Sequence, residues 1–205
     1  METVSPPPIE WGAASLPLPG QSESGDRHVV CFFPGGVLLA AIDGLGHGVE
    51  AAAAAAAAES ILQAQPSEPV ISLVQRCHQR LHQTRGVVMS VASLDIPHGL
   101  VTWLGVGNVR GVLRRSRALS SPLQEELLLR AGVIGGQIPP LQAAVVPVSR
   151  ADTLFLATDG IRAEFAHDQA LSGTPQHTAE AILSRYATGN DDGLVLVARF
   201  VGTGL

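Results

Sequence analysis

Residues 26–48 read DRHVVCFFPGGVLLAAIDGLGHG, and the order of residue types in this stretch decides the fold. Two β-rich runs flank Pro34-Gly35-Gly36, the composition of an antiparallel hairpin over residues 28–42. A turn centred on Pro34-Gly35 sets a register that pairs Asp26 with Asp43, with Cβ atoms about 5 Å apart. Like charges so placed destabilise a sheet unless something positive lies between them. A divalent cation is the natural candidate. The second strand then runs from Asp43 straight into a glycine-rich turn, AIDGLGHG, residues 41–48.

Downstream the period changes. Residues 48–64 contain eight consecutive alanines with Glu50 near the positive end, which predicts a helix. Pro66 ends it, and Val70, Leu73, Val74, Cys77 and Leu81 recur at helical spacing, predicting a second helix over 67–84. Upstream, residues 9–18 are expected to form a first strand. From Gly86 the strand period returns in VVMSVASLDI, GLVTWLGVG and VRGVLRR, which read as a meander. Residues 116–142 hold a short EELLLR element and a Gly135-Gly136-x-x-Pro139-Pro140 loop suited to a flap. AAVVPVS and DTLFLATDG read as two further strands. Residues 175–187 read as a helix with Thr174 as N-cap, and DGLVLVARFV as a closing strand. Helices that arrive as a pair, not alternating with strands, argue for α+β layers of mainly antiparallel sheets.

The 205 residues suffice for a single domain over 1–205 with a substantial core. A composition of 46% hydrophobic and 15% charged residues is that of a globular protein, and no apolar run is long enough to cross a bilayer. The N-terminus METVSPPPIEW lacks the basic start and apolar core of a signal peptide, so a cytoplasmic protein is expected. Cys31 and Cys77 form neither a disulfide framework nor a zinc pattern and read as buried thiols. A net charge of -5, with all thirteen basic residues arginine, argues against nucleic acid or membrane partners. The one basic cluster, Arg110, Arg114, Arg115 and Arg117, reads as a solvated strand end and turn. Trp11 and Trp103 read as core anchors. His78 and His82 stand four apart on a helical face, but HQRLH lacks the glutamate of a zincin motif.

Four acids stand at strand ends: Asp26, Asp43, Asp159 and Asp191. Helix 175–187 returns the chain from the end carrying Asp159 to the start of the last strand. Antiparallel neighbours would then gather all four acids at one sheet edge. Oxygen-only donors select hard cations, Mg²⁺ or Mn²⁺ over Zn²⁺. Two such ions about 3.5–4 Å apart activate a water and clamp a phosphoryl group for in-line attack. Gly44 and Gly160 follow two of the acids and, lacking a Cβ, allow close backbone approach.

Ser24-Gly25-Asp26, Asp43-Gly44-Leu45-Gly46-His47-Gly48, Gly107-Asn108-Val109-Arg110, Thr158-Asp159-Gly160-Ile161 and Asp191-Asp192 stand in the order and approximate spacing of the PPM-type, metal-dependent serine/threonine protein phosphatases. The resemblance covers nearly the whole chain. The compact length and the Asp-Gly-x-Gly-His-Gly turn opening an alanine-rich helix look most like the SpoIIE-like branch, with its RsbX-type stressosome phosphatases. It implies a four-layer αββα sandwich of two antiparallel sheets flanked by helix pairs, with two Mn²⁺ or Mg²⁺ ions at one edge. Carried over by position, Asp43 would bridge both metals, the Gly44 carbonyl would hold one, Asp159 and Asp191 the other, and Asp26 would act directly or through water. Asp43 and Asp26 are thus the catalytic candidates, with metal-activated water as nucleophile. Asp192, where many relatives carry Asn, ranks below Asp191. The implied substrate is a phosphorylated protein, a STAS-domain component of a stressosome.

Two positions depart from the pattern. Asn108 replaces an acid common in larger relatives, which puts a third metal in doubt. No basic residue precedes Asp26, so the usual phosphate-binding arginine has no counterpart; Arg27, Arg110 and His47 are the substrate-contact candidates. A catalytically silent binding or scaffold module of the same fold is the alternative. A nucleotide hydrolase lacks its Walker-type loop.

Overall fold

The computed structural model describes residues 7–116 and 122–202; Arg117 of the basic cluster lies outside them. The hairpin forms β2 (Asp26–Phe33) and β3 (Gly36–Gly44), with Asp26 opposite Asp43 as the turn requires. β3 carries an uninterrupted apolar run because both its faces are covered. Val37, Leu39 and Ala41 face the layer between the sheets, whereas Leu38, Ala40 and Ile42 face the helices. Helix α1 (Val49–Ala64) follows, and its alanines let it lie close against this hairpin: Ala51, Ala52, Ala54, Ala55 and Ala58 are all buried. Helix α2 (Val70–Arg80) begins later than the periodicity suggested, because Pro69 keeps Glu68 out of helical geometry. It ends earlier as well, where Thr84 turns back and its N–H and hydroxyl both donate to the Leu81 carbonyl.

The remaining elements are β1 (Ile9–Leu16), β4 (Val87–Asp95), β5 (Leu100–Val106), β6 (Arg110–Arg114), β7 (Gln124–Glu126), β8 (Leu129–Arg130), β9 (Ala144–Pro147), β10 (Thr153–Ala157), helix α3 (Pro175–Tyr186) and β11 (Gly193–Phe200). They make two sheets, ordered β1-β11-β10-β6-β7 and β2-β3-β4-β5-β8, with β9 also on β5. All neighbours are antiparallel except the short β5–β8 pair. The sheets pack face to face in a sandwich. α1 and α2 cover the outside of one, and α3 with a short 3-10 turn (Ala163–His167) covers the other. Thr174 caps α3 as its position predicts, its hydroxyl accepting from His177 N–H at 3.2 Å.

Several sequence readings change. The meander breaks after β5: Gly107, at φ +97°, turns the chain with its α-carbon pressed against Val88, and β6 joins the other sheet beside β10. Trp103 is buried, but Trp11 is 43% exposed on edge strand β1 and stacks at 5.9 Å on His28. Cys77 is buried and Cys31 only half-buried. The arginine cluster is not simply solvated. Arg115 is ion-paired to Glu125 and Asp152, and Arg114 lies over the Phe155 ring at 5.1 Å.

The 131–139 loop is tied down at two places. Ile134 exchanges both backbone hydrogen bonds with Val87, at 2.8 and 2.9 Å. Gly135 is held by the α2 histidines: its N–H donates to His78 Nδ1 at 3.1 Å, and its carbonyl lies 3.0 Å from His82 Nδ1. A carbonyl only accepts, so His82 carries the proton on Nδ1, whereas His78 must leave Nδ1 bare. Burial and the neighbouring His82 depress the His78 pKa from 6.5. A base with a depressed folded pKa contributes stability above the unfolded value of 6.5, lost as pH falls below it. His78→Ala strands the buried Gly135 N–H and is expected to cost about 1–3 kcal/mol at pH 8. Urea unfolding should show that deficit narrowing as pH falls below 6.5; a pH-independent deficit would contradict the bond.

Candidate functional site

The acids come from both sheets, not from one sheet edge. Asp26 and Asp43 close the β2–β3 end of one sheet. Asp159 follows β10, and Asp191-Asp192 precede β11, in the other. The antiparallel run of β10 and β11, with α3 between them, brings the last three acids to the same end of the sandwich. Thr158 ties the two sheets together: its buried hydroxyl donates to Asp26 Oδ2 at 2.7 Å and accepts from Leu194 N–H at 2.9 Å. Asp192 is a second tie, with Oδ1 accepting from Leu18 N–H and Oδ2 from Gly25 N–H, both at 2.7 Å. Both its oxygens are therefore committed to the loop that delivers Asp26.

A cleft of about 520 Å³ opens above this junction, lined by Asp43, Asp159 and Asp191 together with His47, Asn108 and Asn190. Leu18, Leu45, Val88 and the 131–133 segment form its apolar wall. Asp26 sits behind Asp43, only 5% exposed. Asn108 donates to Asp159 Oδ2 at 2.7 Å, so the residue that departs from the pattern holds an acid in place where a carboxylate would repel it. Arg27 falls opposite Ile42, on the helix-covered side of its sheet and away from the cleft. Arg110 is paired with Glu126 at 2.9 Å and does not line the cleft. Of the substrate-contact candidates, His47 alone does.

The two motif glycines are required by chain packing. A Cβ on Gly44 would lie 2.2 Å from the Ala51 carbonyl oxygen, and one on Gly160 1.8 Å from that of Asp192. These contacts seat α1 and the 191–192 turn directly behind the acids. Sequence reading assigned no role to Thr158 as a bridge or to Asp192 as a tie, since both roles depend on which sheets become neighbours.

Crowding raises the carboxyl pKa values. Asp43 is pushed up to about 8, by burial first and then by Asp26, Asp159, Asp191 and Asp192. Asp26 is pushed up to about 7, mainly by burial, with the Thr158 hydrogen bond opposing and the other acids adding. Asp159 is raised by burial and by Asp191. Among the described residues no arginine or histidine forms an ion pair with any of these acids. Nor, among them, do three His, Cys, Asp or Glu side chains stand grouped to hold a metal ion; what the cleft presents is carboxylate oxygen from Asp43, Asp159 and Asp191. That donor set fits Mg²⁺ or Mn²⁺ better than zinc, since Mg²⁺ characteristically keeps several waters and takes only one or two carboxylates. Asp43, Asp159 and Asp191 on the cleft, with Asp26 behind, are the residues that would hold such ions.

The same architecture occurs in known proteins. Over 180 residues the chain is 25% identical to phosphoserine phosphatase RsbX of Bacillus subtilis (strain 168), covering 87% of each. A solved structure of RsbX in complex with magnesium superposes with a TM-score of 0.83 at 23% identity, covering 98% of both chains. A chain from a structure described as the bacterial stressosome, a modular system adapted to control secondary messenger signaling, reaches the same TM-score at 28% identity, covering 93% of this chain and 99% of that one. These likenesses bear out the expected two-sheet sandwich. The family described as Stage II sporulation protein E (SpoIIE) matches residues 34–201, from the hairpin turn to the end of β11. With every motif acid after Asp26 inside that match, the chain belongs to the SpoIIE family.

Proposed function

We propose that this protein is a metal-dependent phosphoserine/phosphothreonine protein phosphatase, one catalytic domain that resets a stress-signalling complex by dephosphorylating a STAS-domain component of a stressosome. The carrying observation is a cleft lined by Asp43, Asp159 and Asp191 from two sheets, with Asp26 buried behind Asp43 and none of the four in an ion pair among the described residues. Two divalent cations bound there would supply an activated water and charge neutralisation at the phosphoryl group. The chain's own residues supply the rest. Asp43, Asp159 and Asp191 present oxygens to the cleft, and Thr158 and Asn108 fix the orientations of Asp26 and Asp159. His47 stands on the cleft within reach of substrate. The apolar wall limits water around the phosphosite. Support for the substrate class comes from the relatives: one is named a phosphoserine phosphatase, and another belongs to a structure described as a stressosome.

Phosphate release from a phosphoserine STAS-domain protein is expected to require Mn²⁺ or Mg²⁺ and to stop with chelator. Asp43→Asn should lower it by more than about a hundredfold, beyond the range typical for loss of a supporting contact at a metal site. Wild-type protein that binds the substrate without turning it over would favour the scaffold reading instead.

The raised carboxyl pKa values give a second expectation. Asp43 holds its proton to about pH 8 in the folded chain, against 3.8 as its ordinary value. Its stability contribution is therefore present below 3.8 and lost as pH rises through 8. In chelated protein Asp43→Asn escapes that loss, so its unfolding free energy should exceed that of wild type at pH 8 by up to a few kcal/mol, raising its midpoint, with the gap closing toward pH 4. Adding Mg²⁺ should raise the wild-type midpoint at pH 8 and leave the variant's unchanged. Equal midpoints at pH 8 would show that the acids are not buried against one another.

A further inference from the structure

Arg85 lies in the turn between α2 and β4, and this turn is docked on the acid loop: Leu45 N–H donates to the Gly86 carbonyl at 3.1 Å. The Arg85 guanidinium reaches over Gly46, a residue that lines the catalytic cleft. A Cβ on Gly46 would sit 2.6 Å from Arg85 Nη1, so glycine there makes room for the guanidinium. Nε donates to Oε2 of Glu50 at 2.6 Å, and Nη2 lies 2.5 Å from the same oxygen. Nη1 makes no hydrogen bond among the described residues. Both side chains are exposed, 48% for Arg85 and 70% for Glu50, and a pair so solvated holds by no more than about fivefold.

Charge balance gives this arginine a task. Four carboxylates and two divalent cations neutralise each other, and an incoming phosphoryl dianion leaves the cleft negative. Among the described residues no arginine lines the cleft itself; Arg85 is seated at its edge over Gly46, whereas Arg27 is on the far side of β2 and Arg110 pairs with Glu126 between β6 and β7. A guanidinium fork matches phosphate oxygens in two parallel hydrogen bonds, which a single shared carboxylate oxygen does not provide. We propose that Arg85 is the residue that binds the substrate phosphoryl group, and that Glu50 is its resting counter-ion, released when the dianion arrives. The inference rests on the phosphatase reading. It makes Glu50 a competitor of substrate, so the two residues act in opposite directions.

Isothermal titration of the magnesium-loaded full chain with inorganic phosphate tests this without turnover. Arg85→Ala should weaken phosphate binding about ten- to a hundredfold, Arg85→Lys less, and Glu50→Gln should tighten it about two- to fivefold. KM for a phosphoserine protein should move in parallel, with Mg²⁺ affinity little changed. Unaltered phosphate affinity in Arg85→Ala would overturn the assignment. So would weakening in Glu50→Gln, because a merely structural ion pair loses the same way from either side. Failure of the phosphatase reading is separate: wild-type protein would show no metal-dependent turnover, whatever the titration gave.

Discussion

Burying like charges where two sheets meet is the constraint on which the rest of this molecule depends. Asp26 and Asp43 face each other across a hairpin, and Asp159 and Asp191 are brought against them from the opposite sheet. Asp26, Asp43 and Asp159 lose hydration and gain negative neighbours, and both effects oppose their ionisation. The opposing stabilisation comes from the strands that lead into the site. β3 is apolar on both faces, and β11 sends Leu194, Leu196, Ala198 and Phe200 into the layer between the sheets while Val195 and Val197 meet the α3 side. A strand so heavily buried is held in one register, since a slip of one residue would exchange its two faces. Two of the charged ends, Asp43 and Asp191, belong to or adjoin strands buried in this way.

Small residues then bring the supporting elements close enough to fix the loops. α1 starts directly behind Asp43 because Gly44 and the alanine face leave no side chain between helix and strand. Its first turn supplies Glu50, which places a carboxylate within reach of Arg85. The opposite wall is set from α2, whose two histidines grip Gly135 and whose following turn carries Arg85. Helix pair, cleft wall and arginine are thus one mechanical unit, although they are distant in sequence.

Much of this is legible in the sequence itself. The hairpin turn fixes the Asp26–Asp43 pairing by counting alone, and alanine propensity, the proline after the first helix and the Thr174 cap mark the helices by local chemistry. What escaped was contact between distant segments. β6 reads as the third strand of a meander, because the Gly107-Asn108 turn looks like a hairpin turn; its crossing to the other sheet depends on the Val88 side chain beneath Gly107. Trp11 reads as a core residue by type, yet it lies on an edge strand and finds His28 as its partner. The four acids were traceable to strand ends, but a one-dimensional pattern does not say that two strands belong to one sheet and two to the other.

Asp191 and Asp192 show how far position outweighs residue type. The two are consecutive and chemically identical, in the bend that leads into β11. Asp192 turns inward, where two backbone N–H groups at 2.7 Å satisfy both its oxygens. Asp191 faces the cleft and also accepts from the Asp192 N–H at 2.9 Å. An amide at 192 could satisfy only one of those two donors with its single acceptor oxygen, leaving its NH₂ against the other. The carboxylate at 192 is therefore tied to the path of residues 18–25, and through Gly25 to the placement of Asp26. In the proposed site Asp191 would be the one of the pair to face a cation, while Asp192 has given both its oxygens to the backbone.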